Sequence, residues 1–215
     1  IYPVNPRGGR ISGLKAFTCI EELPLGIDLA IVILPAASTP QAVRDCARRN
    51  IGSIVLVAGG FAEVDQAGED LQQELSRAVQ ETGVRVLGPN TAGHISTPEN
   101  FTSSFFPLGE IPQGPISYVA QTGNFTGAMM KHIMSAENYG VARCIGLGNT
   151  IDIDEADVFE FLGEDPHTEA IFFYLESIKR PRVFVEIAKQ VTPKKPVIML
   201  KGGSTAEGAA AALSH

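Results

Sequence analysis

Short apolar runs alternate with helix-forming segments along this chain, and that alternation limits the fold more than any other feature. The runs Leu29–Leu34, Ser53–Val57 and Val84–Leu87 are strand-like. Helices are predicted between them, the first opened by a capping hydroxyl at Ser38 and the second spanning about residues 65–82. Continuous apolar runs are typical of parallel strands that are buried on both faces. The order strand, helix, strand therefore predicts parallel sheets with right-handed crossovers.

The alternation stops in a proline-rich stretch, Gly88–Gly114, and then starts again. Because this stretch has little periodicity, we interpret its end as a domain boundary. The elements predicted after it are strands at 116–119, 142–147, 171–175 and 196–200, and helices at 125–134, 154–162 and 181–190. We therefore predict an α/β fold of two doubly wound domains, residues 1–112 and 113–215. Ligands are expected beyond the carboxyl ends of the strands.

Charge and cysteine usage exclude several classes of protein. The 215 residues carry a formal net charge of −7, which argues against nucleic acid or an anionic membrane as the main partner. No apolar run approaches the roughly 18 residues of a membrane span. Cys19, Cys46 and Cys144 are odd in number and widely spaced, which predicts neither a disulfide framework nor a metal site. A reducing cytoplasm is the simplest location for such a chain.

Loops rich in small residues follow several of the predicted strands. Gly8 and Gly9 follow the N-terminal segment Ile1–Val4, Gly59 and Gly60 follow Ser53–Val57, and the segment Gly88–Gly93 follows Val84–Leu87. Such loops let a ligand approach the backbone closely, so a nucleotide-like ligand is one interpretation. The other is that small residues only make tight turns, and composition favours neither. The glycine fingerprint of a complete dinucleotide site is absent.

One turn, Gln121–Asn124, lies directly between a predicted strand and a predicted helix. The N–H groups and positive dipole of a helix N-terminus can bind an anion, and Thr122 and Asn124 can add side-chain donors. Ordinary capping by Thr122 or Asn124 is the alternative, and the turn alone favours capping.

Two further residues suggest phosphoryl chemistry. His215 follows a glycine- and alanine-rich segment, which suits a mobile imidazole that accepts a phosphoryl group at one site and releases it at another. Glu176 ends the predicted strand 171–175, where its carboxylate can hold an imidazole and fix its tautomer. The alternatives are a surface histidine and a solvated glutamate at a strand end.

Taken together, six segments resemble those of the NDP-forming acyl-CoA synthetases, which include the ADP-forming acetyl-CoA synthetases and the α subunit of succinyl-CoA synthetase. Each segment is weakly specific, but all six occur in the family's order and cover nearly the whole chain. They are Tyr2–Gly9, Gly88–Gly93, Ala120–Gly123, Gly148–Asp157, Asp165–Glu176 and Lys195–His215.

The resemblance implies a Rossmann-like CoA-binding domain followed by a flavodoxin-like domain. It implies that acyl-CoA, ADP and phosphate interconvert with acid, CoA and ATP through an acyl phosphate and phospho-His215. Glu176 would orient His215. The phosphoryl group would be held by Gln121, Thr122, Gly123 and Asn124, and coenzyme A by Arg7, Val57, Ala58, Gly59 and Asn90.

The resemblance also implies what must accompany the chain. An ATP-grasp domain or subunit would bind ATP or ADP with Mg²⁺, a small carboxylic acid would be the substrate, and the full-length enzyme would be a cytoplasmic oligomer. The strand-like start, Ile1–Val4, has no initiator Met and suggests a fragment that lacks its first βα unit and its C-terminal part.

Two departures from the family pattern bear on specificity and on the loops. Thr91 stands where the family often has Cys. Gly127 stands where the succinate-specific subunit has a Tyr, so we expect room for a different acid. The alternative function is a non-catalytic CoA-binding regulatory module of an acyltransferase-type relative. Retention of both His215 and Glu176 counts against that alternative.

Overall fold

The structure of the chain is a computed structural model that describes residues 1–136 and 139–203, without the side chains of 124, 125, 134 and 136. A short antiparallel hairpin, β1 (Arg10–Ile11) and β2 (Leu14–Lys15), follows the N-terminal segment. The expectation of a strand at residues 1–4 was wrong, because only Val4 pairs, in a single bridge to Phe17.

The first of the two larger sheets has three parallel strands in sequence order. They are β3 (Ala30–Val32), β4 (Ser53–Leu56) and β5 (Arg85–Leu87). Two helices connect them, α1 (Thr39–Arg48) and α2 (Gln66–Thr82). Their apolar faces pack on the sheet around a buried core, as the predicted alternation requires.

The helix ends partly follow the expected chemistry. Asp65 caps α2 by accepting a hydrogen bond of 2.8 Å from the Gly68 N–H. The prediction that Ser38 caps α1 was wrong, because its side chain makes no capping bond. The neighbouring Thr39 hydroxyl instead donates to the carbonyl oxygen of Ala36.

The second sheet has six strands in the order β11-β10-β8-β9-β6-β7. The strands are β6 (His94–Ser96), β7 (Phe101–Thr102), β8 (Gln113–Ala120), β9 (Val141–Gly146), β10 (Ala170–Leu175) and β11 (Val197–Lys201). The helices are α3 (Gly123–Ala136), α4 (Glu155–Glu164) and α5 (Pro181–Val191). Strands β8 to β11 are parallel in the flavodoxin-like order, and α3 covers one face while α4 and α5 cover the other. The predicted α/β fold is thus confirmed, and the second part is doubly wound. In the first part, both connecting helices pack in one core.

Two details of the prediction were wrong. The stretch 88–114 is not irregular throughout, since β6 and β7 lie within it and pair antiparallel with β9 and with each other. The second sheet is therefore mixed. The two larger sheets separate between Leu87 and His94. The domain limits 1–112 and 113–215 remain a prediction.

Backbone and side-chain bonds join the two sheets at one edge. The Arg85 guanidinium, on β5, donates to both carboxylate oxygens of Asp152, in the loop after β9. Between the loops that follow β5 and β9, the Asn149 N–H donates to the Pro89 carbonyl at 2.8 Å. The carboxyl ends of both sheets therefore face each other. None of the described helices is both long and apolar enough to cross a membrane.

Candidate functional site

A cavity of about 720 Å³ lies where the strand ends of the two sheets meet. Its walls come mainly from the loops that follow β4, β5, β7, β8, β9, β10 and β11. The lining includes Val57, Glu63, Asn90, Phe105, Phe106, Gln121, Thr122, Gly123, Asn149, Glu176, Lys179 and Gly203. The structure thus brings together most of the site residues that were predicted in two separate domains.

Glu176 lies at the point where the strand order of the second sheet reverses. It follows β10, whose neighbour β8 precedes Gln121, and the connections from these two strands run to opposite faces. Ligands bind at such switch points in open α/β sheets. The Glu176 carboxylate lines the cavity and accepts a hydrogen bond of 3.3 Å from the Tyr174 hydroxyl. Burial, and then the nearby Glu176, raise the pKa of Tyr174 above its usual value.

The Gln121 side chain braces the loop that carries Glu176. Its oxygen accepts from the backbone N–H groups of Glu176 at 2.5 Å and of Ser177 at 2.9 Å. Its nitrogen donates to the carbonyl and hydroxyl oxygens of Ser177, both at 3.1 Å. The amide that was predicted to contact a phosphoryl group is thus bonded to the glutamate loop.

The start of α3 faces the same cavity. Thr122 and Gly123 line it, and the Thr122 carbonyl accepts the first helical bond from the Thr126 N–H at 3.2 Å. The first N–H groups of a helix have no partner within the helix, so this end can receive an anion. Asn124 lies in the first turn of α3, and its side chain is outside the described part of the structure.

The chain leaves β11 beside Glu176. The Gly202 N–H donates to the Leu175 carbonyl at 2.8 Å, and the Lys201 ammonium donates to the Glu176 carbonyl at 2.7 Å. A Cβ at Gly202 would lie 3.6 Å from Cγ of Glu176. The next residue, Gly203, lines the cavity. His215 lies outside the described residues, so its role stays a prediction.

The residues predicted around coenzyme A are only partly at the cavity. Val57 and Asn90 line it, and the Asn90 N–H donates to the Ala58 carbonyl at 2.8 Å. Gly59 packs behind them, because a Cβ there would lie 3.1 Å from Oδ1 of Asn90. Arg7 is exposed and is not among the lining residues.

Sequence reasoning missed a polar cluster on the cavity wall. Asn149 donates from its side-chain nitrogen to Glu63 at 2.7 Å and to Gln72 at 2.8 Å, which links the two sheets. Burial acts to raise the pKa of Glu63, but bonds from Asn149 and from the N–H groups of Gly60 and Phe61 outweigh it, so the pKa is lowered. The signal available in the sequence was a carboxylate three residues after a Gly-Gly turn.

Lys179 was also missed, although it follows Glu176 by only three positions. Its ammonium group donates to the carbonyl oxygens of Asn149 at 2.9 Å and Thr150 at 2.7 Å. Burial lowers the pKa of Lys179, while the carboxylates of Glu155 and Asp154 act in the opposite direction. Lys179 therefore adds a cation to the lining of the cavity.

The structure corrects the expectation for Gly127. A Cβ at this position would lie 2.7 Å from Cε1 and Cζ of Phe106, so the ring of Phe106 occupies the space above the glycine. Thr91, the other departure from the family pattern, has a structural role. Its buried hydroxyl donates to the Gly146 carbonyl and accepts from the Gly93 N–H.

Comparison with known proteins agrees with this architecture. Residues 1–96 match the CoA binding domain, and residues 113–215 match the succinyl-CoA ligase like flavodoxin domain. The chain is 36% identical over its full length to the alpha subunit of acetate–CoA ligase [ADP-forming] I of Pyrococcus furiosus, of which it covers 47%. It is also 36% identical to acetate–CoA ligase [ADP-forming] II of Archaeoglobus fulgidus, of which it covers 32%.

A solved structure shows the same fold. Acetyl-coenzyme A synthetase 1 of Ca. Korarchaeum cryptofilum, in complex with phosphate and ADP, superposes with a TM-score of 0.92 at 34% identity, over 100% of this chain and 46% of that one. The chain thus spans 32% to 47% of the length of these relatives. It belongs to the NDP-forming acyl-CoA synthetase family, as a CoA-binding domain followed by a succinyl-CoA ligase-like flavodoxin domain.

Proposed function

We propose that this chain is the CoA-binding and phosphohistidine part of an ADP-forming acyl-CoA synthetase. The single observation that carries the proposal is that Glu176 and Gly203 line one cavity together with Asn90, Thr122 and Gly123. Phosphoryl transfer through a histidine requires a carboxylate, a helix N-terminus and a segment that carries the histidine, here the one that leads to His215. They meet beside the loops of the CoA-binding domain.

The chemistry proceeds in three transfers. Inorganic phosphate displaces CoA from the acyl group and forms an acyl phosphate. A ring nitrogen of His215 then attacks the phosphorus, which releases the carboxylate of the acid. ADP finally takes the phosphoryl group from His215, which yields ATP and restores the imidazole.

This chain's residues have separate roles in these transfers. Glu176 accepts a hydrogen bond from the second ring nitrogen of His215, which fixes the tautomer and stabilises the positive charge of the phosphorylated ring. The N-terminus of α3, at Thr122 and Gly123, holds the phosphoryl oxygens. Asn90 and Val57 hold coenzyme A on the opposite wall, and Arg7 can reach a phosphate group only from outside the cavity.

The remaining partners follow from the relatives. Because the chain corresponds to 47% of a protein that is itself an alpha subunit, an ATP-grasp domain or subunit would supply the site for ATP or ADP with Mg²⁺. The relatives are acetate–CoA ligases, which supports a small carboxylic acid as the substrate. The full-length enzyme would be a cytoplasmic oligomer.

Phosphohistidine labelling tests the function. The full-length protein with its ATP-grasp part is incubated with γ-labelled ATP, and we expect acid-labile, base-stable label that His215→Ala abolishes. Glu176→Gln should slow labelling about 100-fold, whereas Glu160→Gln, at an exposed position on α4, should not. Binding of CoA without label would instead favour a non-catalytic regulatory module.

A further inference from the structure

We propose that Phe106 sets the upper length of the acid and restricts the site to short carboxylic acids; this inference rests on the proposed function. Phe106 lines the main cavity and also a second one of about 570 Å³. The other residues of the second cavity are Pro107, Leu108, Gly127, Ala128, Lys131 and Ser135. The ring of Phe106 is therefore the wall between the two spaces.

Contacts on two sides hold this ring in place. One edge lies against the backbone of α3, where a Cβ at Gly127 would come within 2.7 Å of it. On the other side, the ring of Phe105 lies at a centroid distance of 4.8 Å and an interplanar angle of 41°. Only a glycine at position 127 leaves room for the ring in this position.

The distance along α3 sets the length limit. Thr122 and Gly123 line the main cavity at the start of this helix, and the acid must place its carboxylate there to exchange a phosphoryl group. Gly127 lies one turn later on the same face, about 6 Å along the axis. A carbon chain that runs along this face therefore meets Phe106 after about four carbons.

The other walls of the main cavity are mostly polar or formed by small side chains. They carry Glu63, Asn149, Glu176 and Lys179, whose polar groups would lose hydration against an apolar tail. Phe105 and Phe106 are the aromatic residues of the lining, and Val57, Ala62 and Ala92 add smaller apolar surface. Beyond Phe106, the second cavity has mainly apolar walls, and it would accept a longer chain if the ring were removed.

Acid specificity in the full-length protein with its ATP-grasp part tests the inference. We measure kcat/KM for acetate, butyrate, hexanoate and phenylacetate. Phe106→Ala should raise the ratio of hexanoate and of phenylacetate to acetate at least about tenfold, and Phe106→Leu should raise it less. Gly127→Ala should act in the opposite direction and lower the ratio of butyrate to acetate, because its Cβ pushes the ring into the main cavity. The matched control is Phe161→Ala, a half-exposed phenylalanine on α4 outside both cavities, which should leave all the ratios unchanged.

The outcomes separate this inference from the function on which it rests. If the wild-type protein makes no acyl-CoA from any acid, the proposed function fails and the inference fails with it. If it uses acetate but also uses hexanoate equally well, or if both variants keep the wild-type ratios, the inference fails and the function stands. If Phe106→Ala is inactive with every acid, the test is the ratio of kcat/KM for butyrate to that for acetate in Gly127→Ala. A fall in this ratio supports the inference, and an unchanged ratio overturns it.

Discussion

The side-chain oxygen of Gln121 accepts a hydrogen bond of 2.5 Å from the backbone N–H of Glu176, and this bond joins the carboxyl ends of β8 and β10. The same amide makes three more bonds to Ser177. A side chain 55 positions earlier in the sequence thus fixes the loop that presents the Glu176 carboxylate to the cavity.

Truncation of this amide should impair turnover more than CoA binding. Gln121→Ala leaves two backbone N–H groups without their acceptor, which costs about 1–3 kcal/mol and loosens Glu176. We expect kcat and the rate of His215 phosphorylation to fall about tenfold or more, with the KM for CoA nearly unchanged. Gln41→Ala, at an exposed glutamine on α1, serves as the control. Equal losses in kcat and in affinity for CoA would contradict a positioning role.

The elements that the sequence predicted well are those whose burial shows in the local pattern. Strand β10 has only apolar and aromatic residues, and so do the buried ends of β4 (54–56) and β8 (118–120), because helices pack on the sheets. Strands β6 and β7 have only three and two residues, too few to show a period. β6 forms because β9, 47 to 51 positions later in sequence, offers it an edge, and β7 then pairs with β6.

The sequence predicted only those parts of the site whose positions are set by the ends of the strands. Thr122 and Glu176 follow two neighbouring strands that run parallel in one sheet, so their proximity follows from the topology. The cluster of Glu63 with Asn149 depends on how loops of two different sheets meet, which no local pattern records. The position of Phe106 against Gly127 depends on such long-range packing as well.

Replacing Asn149 with a carboxylate should reverse the sign of the pH dependence of stability that arises from Glu63. In the wild-type protein the pKa of Glu63 is lowered, so its contribution is present above the ordinary value of 4.5 and is lost as pH falls through the lowered pKa. Asn149→Asp replaces a donor 2.7 Å from Glu63 with a like charge, which raises the pKa of the pair. The variant should therefore regain stability relative to wild type on acidification, and lose it as pH rises.

Urea unfolding at several pH values measures this reversal. At neutral pH we expect the variant to be destabilised by about 1–3 kcal/mol, and the difference should shrink below about pH 5. Asn100→Asp, at an exposed turn, is the control and should show neither effect. A difference that stays constant with pH would show that the two carboxylates do not interact.

Gly148 and Gly109 have nearly the same φ, so comparing their alanine variants separates backbone strain from steric crowding by the added Cβ. Gly148 has a φ of +65°, and a Cβ there would lie 2.1 Å from the carbonyl oxygen of Pro89. Gly109 has a φ of +66° and no atom within 4 Å of the same position. We expect Gly148→Ala to lower the free energy of unfolding by about 2–4 kcal/mol. It should also weaken CoA binding, because its Cβ would lie 2.9 Å from the backbone of Asn90. Gly109→Ala should cost only about 1 kcal/mol. Similar losses in the two variants, by chemical denaturation, would mean that the loops after β5 and β9 do not pack as described.

Acid sensitivity should arise partly from Asp165, a carboxylate buried beneath β9. Burial acts to raise its pKa, but bonds from Arg143 at 2.8 Å and from the Thr168 hydroxyl at 2.6 Å outweigh it and lower the pKa to about 2. Because this value lies below the ordinary 3.8, the stabilisation is present above that pH and is lost as pH falls towards 2.

Asp165→Asn cannot titrate and leaves Arg143 without this partner, so at neutral pH it should cost about 3 kcal/mol. The deficit should narrow as pH falls below about 4, whereas Glu164→Gln, at the exposed neighbouring position, should follow the wild-type curve throughout. A deficit of constant size down to the lowest pH at which the protein stays folded would rule out Asp165 as a source of the acid sensitivity.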